Sequence, residues 1–370
     1  MASLNFDITT NPTPTSDEER ERILANPAFG RYFTDHMVMI DWDREHGWNN
    51  ARVEPYAPLV LDPATSVFHY GQAIFEGIKA YRQPNGDIAT FRPEQNAQRM
   101  QRSAQRLAMP ELPTDLFIES LRQLVSVDAQ WVPPAGGEAS LYLRPLMIST
   151  EATLGVSPSV SYRFIVIASP AGAYFTGGIK PVSVWLCEDF VRAAPGGTGT
   201  AKCAGNYAAS LQAQAQAQEK GCEQVVWLDA LEHRYIEEMG GMNLMFVYGH
   251  GDSARVVTPE LSGSLLAGVT RASLLELAED QGYQVEERRI SVSEWEEDVR
   301  SGAMTEALAC GTAAVITPVG VVRSAHGEFV INNNEPGTVT MDLRKKLTAI
   351  QRGEAEDPHN WVKTLVPAGN

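Results

Sequence analysis

Lys202 lies in Gly196-Gly197-Thr198-Gly199-Thr200-Ala201-Lys202-Cys203-Ala204-Gly205-Asn206-Tyr207-Ala208, a stretch that sets one lysine and one tyrosine in a permissive, glycine-rich backbone. Flanked by Gly, Ala, Thr and Cys, the ammonium is expected to be partly buried, with a lowered pKa suited to Schiff-base chemistry. Lys202 is therefore the leading nucleophile. The spacing closes neither a P-loop, which needs Gly-Lys-Ser/Thr, nor a dinucleotide fingerprint, whose third glycine place is taken by Lys202. The glycines alone leave a second reading open, a flexible loop before a helix over about 206–220.

An acidic motif follows at Tyr235-Ile236-Glu237-Glu238-Met239-Gly240-Gly241-Met242-Asn243, leading into the apolar run Leu244-Met245-Phe246-Val247-Tyr248, which reads as a buried strand. An acid before paired glycines can be a turn residue. It can also face a pyridinium nitrogen, the partner that pyridoxal phosphate needs to act as an electron sink. Gly268-Val269-Thr270-Arg271 opens a helix through Leu274, Leu275 and Leu277, so its first N–H groups offer an anion site, or Thr270 simply caps the helix. Tyr142 and Arg144, two apart on a predicted strand, share one face of it.

The segments P-G-G-T-G-T-A-K-x-x-G-N-Y-A, E-M-G-G-M-N, G-V-T-R and G-T-A-A, in this order, resemble those of class IV pyridoxal-phosphate enzymes, specifically the branched-chain-amino-acid aminotransferases. His69-Tyr70-Gly71-Gln72-Ala73-Ile74-Phe75-Glu76-Gly77 and Leu141-Tyr142-Leu143-Arg144-Pro145 extend the resemblance upstream. It implies a two-domain α/β (α+β) fold of the D-amino-acid-aminotransferase type, pyridoxal 5'-phosphate as cofactor and a homodimer. On the matching positions it implies Lys202 as the covalent anchor and proton shuttle, Glu238 at the ring nitrogen, and Tyr207 at the ring oxygen. Arg99, Val269, Thr270 and Thr312 would hold the phosphate. The amides of Thr312 and Ala313 would take the substrate α-carboxylate. Tyr70, Phe75, Tyr142, Arg144, Val156 and Tyr174 would line the substrate pocket, Tyr70 and Val156 from the neighbouring subunit. On sequence alone Arg99 also reads as one solvated arginine among several, and the pocket residues as ordinary core.

The implied reaction is reversible transfer of an amino group between leucine, isoleucine or valine and 2-oxoglutarate. Other members of the same fold, the D-amino-acid aminotransferases and aminodeoxychorismate lyases, are alternatives, as is an anion-binding protein without chemistry.

Composition narrows the partners. The chain has 370 residues and a formal net charge of -16, so it repels nucleic acid and anionic membranes. No apolar run reaches the roughly 20 residues that span a bilayer. Residues 11–21 are rich in Pro, Thr, Ser and acids, unlike an export signal, and the protein is expected in the cytoplasm. Cys187, Cys203, Cys222 and Cys310 are widely spaced, with no metal-binding grouping, and read as reduced thiols. Cys203 reads as a packing residue.

The elements that must position these groups alternate strands with helices. Strands are expected over 140–144, 164–169, 224–228 and 243–248, and helices over 270–281 and 293–300. Ser16 and Glu19 form a capping box for a helix ending before Pro27. The Gln/Ala tract at 212–218 reads as an exposed helix face. The expected domains are 1–175 and 187–370, joined by a loop over 176–186 around Gly177-Gly178.

Overall fold

The alternating apolar pattern of the chain is used in two large sheets, one in each of two compact units of the computed structural model. The structure describes residues 4–172 and 179–369. Residues 4–172, 201–204 and 349–369 make the first unit; residues 179–200 and 205–348 make the second.

The first unit contains β1 (Asp7–Ile8), α1 (Asp17–Ala25), β2 (His36–Asp43), β3 (Gly47–Pro55), α2 (Ser66–Tyr70), β4 (Ala73–Phe75), β5 (Ile78–Arg82), β6 (Ile88–Phe91), α3 (Pro93–Arg106), α4 (Thr114–Val127), β7 (Ser140–Ser149) and β8 (Ser161–Ala171). Ser16 caps α1 by accepting the Glu19 N–H at 3.3 Å, as the capping box implies. The expected strands at 140–144 and 164–169 are parts of β7 and β8, which pair antiparallel over ten residues. Their apolar face meets Phe117, Leu121 and Leu124 of α4 in one core.

The second unit begins with β9 (Val182–Cys187) and continues through α5 (Ala204–Ala208, whose first residue groups with the first unit), α6 (Leu211–Glu219), β10 (Gln224–Leu228), β11 (Ile236–Met239), β12 (Met242–Tyr248), β13 (Arg255–Thr258), α7 (Val269–Asp280), β14 (Gln284–Glu287), α8 (Val292–Ser301), β15 (Met304–Gly311), β16 (Val315–Ser324) and β17 (Gly327–Val330). The order β11-β10-β9-β16-β15-β12 closes on itself through the β11–β12 pair, making a six-stranded ring. Both faces of β12 are covered, which explains its unbroken apolar run. Leu244 and Phe246 join Trp295 of α8 in one core, and Met245 and Val247 on the other face are equally buried. Helix α9 (Thr338–Gln351) leads out of this unit, and β18 (Val362–Val366) pairs antiparallel with β6 of the first unit's sheet.

Several expectations need correction. Residues 182–186, read as linker, form most of β9, and Gly177-Gly178 lie outside the described residues. Residues 349–369 and 201–204, placed by sequence in a second domain of 187–370, group with the first unit. The single helix expected over 206–220 is two, α5 and α6. Ser210 between them donates its hydroxyl to the Tyr207 carbonyl at 2.7 Å, the local competition that makes serine a helix breaker. In α6 the glutamines at 212 and 218 are exposed, but Ala213 and Ala217 are fully buried against Val225 and Trp227 of β10.

Candidate active site

In the first unit, Lys202 is held by its backbone. Its N–H donates to the Ser103 hydroxyl of α3 at 2.9 Å, and its carbonyl accepts the Phe75 N–H at 3.0 Å. Cys203 next to it bridges to Ile74 and is buried, as expected of a packing residue. The partly buried Lys202 Nζ sits 4.9 Å from the Phe75 ring centroid. Burial, followed by the nearby Arg99 guanidinium, pushes the ammonium down from 10.5 to about 8. At pH 7 about a tenth of such an amine is neutral, against fewer than about one in a thousand for an ordinary lysine.

Arg99, fully inside on α3, turns one edge to Glu76: Nε lies 2.7 Å from Oε1 and Nη2 2.7 Å from Oε2. Asn96 donates to the same carboxylate at 2.8 Å. Arg99 is therefore no solvated surface charge. Tyr142 and Arg144 share a face of β7 as expected, with Nη2 of Arg144 donating to the Tyr142 hydroxyl at 3.1 Å. The Arg144 guanidinium also lies 4.9 Å over the Phe75 ring. Among the described residues its Nε is buried without a hydrogen-bond partner. Gly77 has room only for hydrogen here, since a Cβ would stand 2.0 Å from the Tyr142 hydroxyl. Tyr70 and Val156 are exposed, and the Tyr70 hydroxyl donates to the Leu154 carbonyl at 2.5 Å. Tyr174 lies outside the described residues.

In the second unit, the glycine-rich loop is fastened at its ends. The Thr198 hydroxyl donates to Asn206 Oδ1 at 2.7 Å, and Asn206 Nδ2 returns a bond to the Thr198 carbonyl at 2.9 Å. Tyr207 on α5 packs its ring against Gly241, and both line a cavity of about 350 Å³ with Arg192, Asn206 and Gly240. Glu238 sits on β11, opposite Asn243 across the Gly240-Gly241 turn. It is 2% exposed, so the acidic motif is a strand and its hairpin rather than a surface turn. The Leu266 N–H donates to Glu238 Oε1 at 2.6 Å, and Arg192 Nε stands 3.2 Å from Oε2. Glu237, on the other face of the strand, takes the hydroxyls of Ser262 and Ser264. Burial raises its pKa.

Helix α7 starts at Val269, close to the expected 270, with Gly268 as a cap that provides no side chain. Thr270 in its first turn is buried. A half-buried helix start with no side-chain cap is suited to an anion. Thr312 and Ala313 lie in the three-residue turn that joins Gly311 to Val315. Val315 has φ 64, a left-handed conformation that costs a branched residue on the order of 1–3 kcal/mol and is concentrated at functional sites.

Sequence reasoning passed over Glu76, Ser103 and Arg192. Glu76 stood within a quoted motif; its signal was an acid in an otherwise apolar segment. Arg192 carries no local sign, because its partners are 7, 46 and 72 residues away.

The lysine titration can be checked on the cofactor-free protein. Acylation of Lys202 by acetic anhydride, followed by mass spectrometry across pH, should show a midpoint near 8. Arg99 depresses it more than Glu76 raises it, so the paired variant Glu76→Gln/Arg99→Gln should move the midpoint up. A wild-type midpoint near 10.5 would reject the assignment. Because the unfolded chain binds more protons between pH 8 and 10.5, this residue's penalty to folding is full below 8 and is relieved as pH rises through that window.

Residues 73–322 match the family described as amino-transferase class IV. The branched-chain-amino-acid aminotransferase of Mycolicibacterium smegmatis is 64% identical over 362 residues, covering 98% of both chains. A probable branched-chain-amino-acid aminotransferase of Streptomyces coelicolor is 58% identical, covering 99% of this chain and 100% of its own. The crystal structure of the Escherichia coli branched-chain amino acid aminotransferase has a TM-score of 0.74 at 27% identity, covering 90% of this chain and 99% of the other. The chain belongs to the class IV aminotransferases, an α/β family of pyridoxal-phosphate-dependent transaminases acting on small molecules.

Proposed function

We propose that this chain is a branched-chain-amino-acid aminotransferase, moving an amino group between leucine, isoleucine or valine and 2-oxoglutarate. The observation that carries the reading is Lys202, pinned through its backbone to Ser103 and Phe75 with its amine over the Phe75 ring, where burial and Arg99 lower its pKa to about 8. Pyridoxal phosphate, when bound, supplies the electron sink that stabilises charge at the substrate α-carbon. The donor set suits it: a basic amine, a buried carboxylate and an uncapped helix start. Lys202 Nζ would anchor the cofactor and would take up and return the substrate α-proton. Glu238 would hold the proton on the ring nitrogen, and Tyr207 would donate to the ring oxygen. By the resemblance, Arg99 of the first unit and Val269, Thr270 and Thr312 of the second would each serve the phosphate. The Thr312 and Ala313 amides orient the α-carboxylate, and Phe75 and Tyr142 line the side-chain pocket.

We place the enzyme in the cytoplasm as a homodimer. Its four cysteines are free and buried. Val60, Phe68, Tyr70, Leu154 and Val156 are exposed on the first unit, apolar side chains of the kind that a second copy covers. Among the described residues no helix is long and apolar enough to cross a membrane.

A half-reaction panel with L-leucine, D-alanine and L-glutamate, followed by loss of the visible absorbance of the bound cofactor, tests the substrate. Response to D-alanine alone would overturn the assignment. Arg144, whose Nε lacks a hydrogen-bond partner among the described residues, is the cation we assign to the γ-carboxylate. Removing a charge-assisted partner costs about 1.5–3 kcal/mol, or roughly ten- to more than a hundredfold. Arg144→Gln should weaken the glutamate half-reaction by that order and the leucine half-reaction much less. Equal losses would make Arg144 a structural support only.

A further inference from the structure

We propose that Arg192 is a positioning residue for Glu238, keeping its carboxylate ionised and oriented and so setting the acid limit of the bound cofactor. The inference rests on the reading of Glu238 as partner of the ring nitrogen. Arg192 follows β9 at the entrance to the glycine-rich loop, and its side chain is 7% exposed. One Nη2 donates to three acceptors: Ser264 O, Gly199 O at 3.2 Å and Glu238 Oε1 at 3.4 Å. Its Nε adds an ion-pair contact to Oε2 at 3.2 Å. The guanidinium thus ties the loop that leads to Lys202, the strand that carries Glu238 and the turn that precedes α7. Gly199 makes this possible, because a Cβ there would stand 2.1 Å from the Ser264 carbonyl oxygen. A single donor shared among these partners is poorly explained as loop fastening alone, since Thr198 and Asn206 already fasten that loop.

Chemistry gives the guanidinium a second task. A carboxyl at 2% exposure favours its neutral acid unless a cation faces it. A neutral acid cannot act as counter-charge to a protonated ring nitrogen. The other ionisable groups nearby do not substitute for Arg192. Glu237 points to the opposite face of β11, where the hydroxyls of Ser262 and Ser264 meet it. Cys310 on β15 is pushed up to about 12 by burial, and so carries no charge at working pH. Arg271 of α7 pairs with Glu287 and the Pro259 carbonyl.

The test is a pH titration of the visible band of the bound cofactor in holoenzyme, together with cofactor retention on dialysis. Arg192→Gln should move the acidic limb of the titration up by about one pH unit, a tenfold change in the protonation equilibrium, and raise cofactor loss about tenfold. Arg192→Lys, which keeps the charge without the fork, should move the limb by less than half as much, and it carries the test if the glutamine variant does not fold. Lower thermal stability with an unmoved limb in both variants would overturn the proposal and leave Arg192 a structural tie. Glu238→Gln in the same titration separates the two claims. If it leaves the band and its pH dependence unchanged, the reading of Glu238 itself fails. If it alters them while Arg192→Gln does not, only the role of Arg192 is lost.

Discussion

Lys202→Ala is expected to lower turnover by at least about 10³-fold, because one change removes both the anchoring nucleophile and the group that carries the α-proton. The protein should still fold. The bonds that hold position 202 in place, to Ser103 and Phe75, use its backbone, and alanine keeps both. Removing an amine that resists its charge when buried also relieves the folding penalty present below pH 8. The variant should therefore melt no earlier than the parent in the cofactor-free state. Borohydride reduction and peptide mapping of the parent should place the pyridoxyl label on Lys202. A label on Lys79 or Lys180 would reject the assignment.

Glu238→Gln should lower turnover by about 10²–10³-fold, the range for losing one preorganised electrostatic partner. The amide oxygen can still accept the Leu266 N–H, but it offers no counter-charge to the ring nitrogen. The substitution also leaves Arg192 without its ion-pair partner. Taking one partner from a buried pair costs on the order of 3–5 kcal/mol, so a lower melting temperature should accompany the loss of activity. Glu237→Gln is the control. The Glu237 carboxyl has a raised pKa and is met by two serine hydroxyls, so an isosteric neutral amide should be mild. Reversed effects at 237 and 238 would shift the motif register by one residue.

What was legible in the sequence was local. The start of α7, the span of β10 and the shared face of Tyr142 and Arg144 follow from caps, apolar runs and a period of two. Four ordered motifs fixed the family. What stayed hidden depends on partners far along the chain. Arg99 looked solvated because the acid that engages it, Glu76, is 23 positions earlier on another element. The Gly240-Gly241 pair marks the β11–β12 hairpin, but nothing local shows that this pairing closes a six-stranded ring. The left-handed Val315 breaks its own residue preference, and local rules cannot foresee a conformation that the surrounding hairpin imposes. The split between α5 and α6 is the reverse case: the signal, Ser210, was local but was outweighed by the helix-forming Gln/Ala tract.

The pairing of β18 with β6 has a consequence for how the protein is made. Residues 88–91 leave the ribosome long before residues 362–366, yet each is the other's hydrogen-bonding neighbour. Throughout synthesis of the intervening residues the β6 side of the first sheet offers an unpaired edge, the surface from which strand-to-strand aggregation starts. Slowing translation after residue 91, or ending the chain before residue 362, should therefore damage the N-terminal sheet first, and chaperone demand during expression should track that open edge.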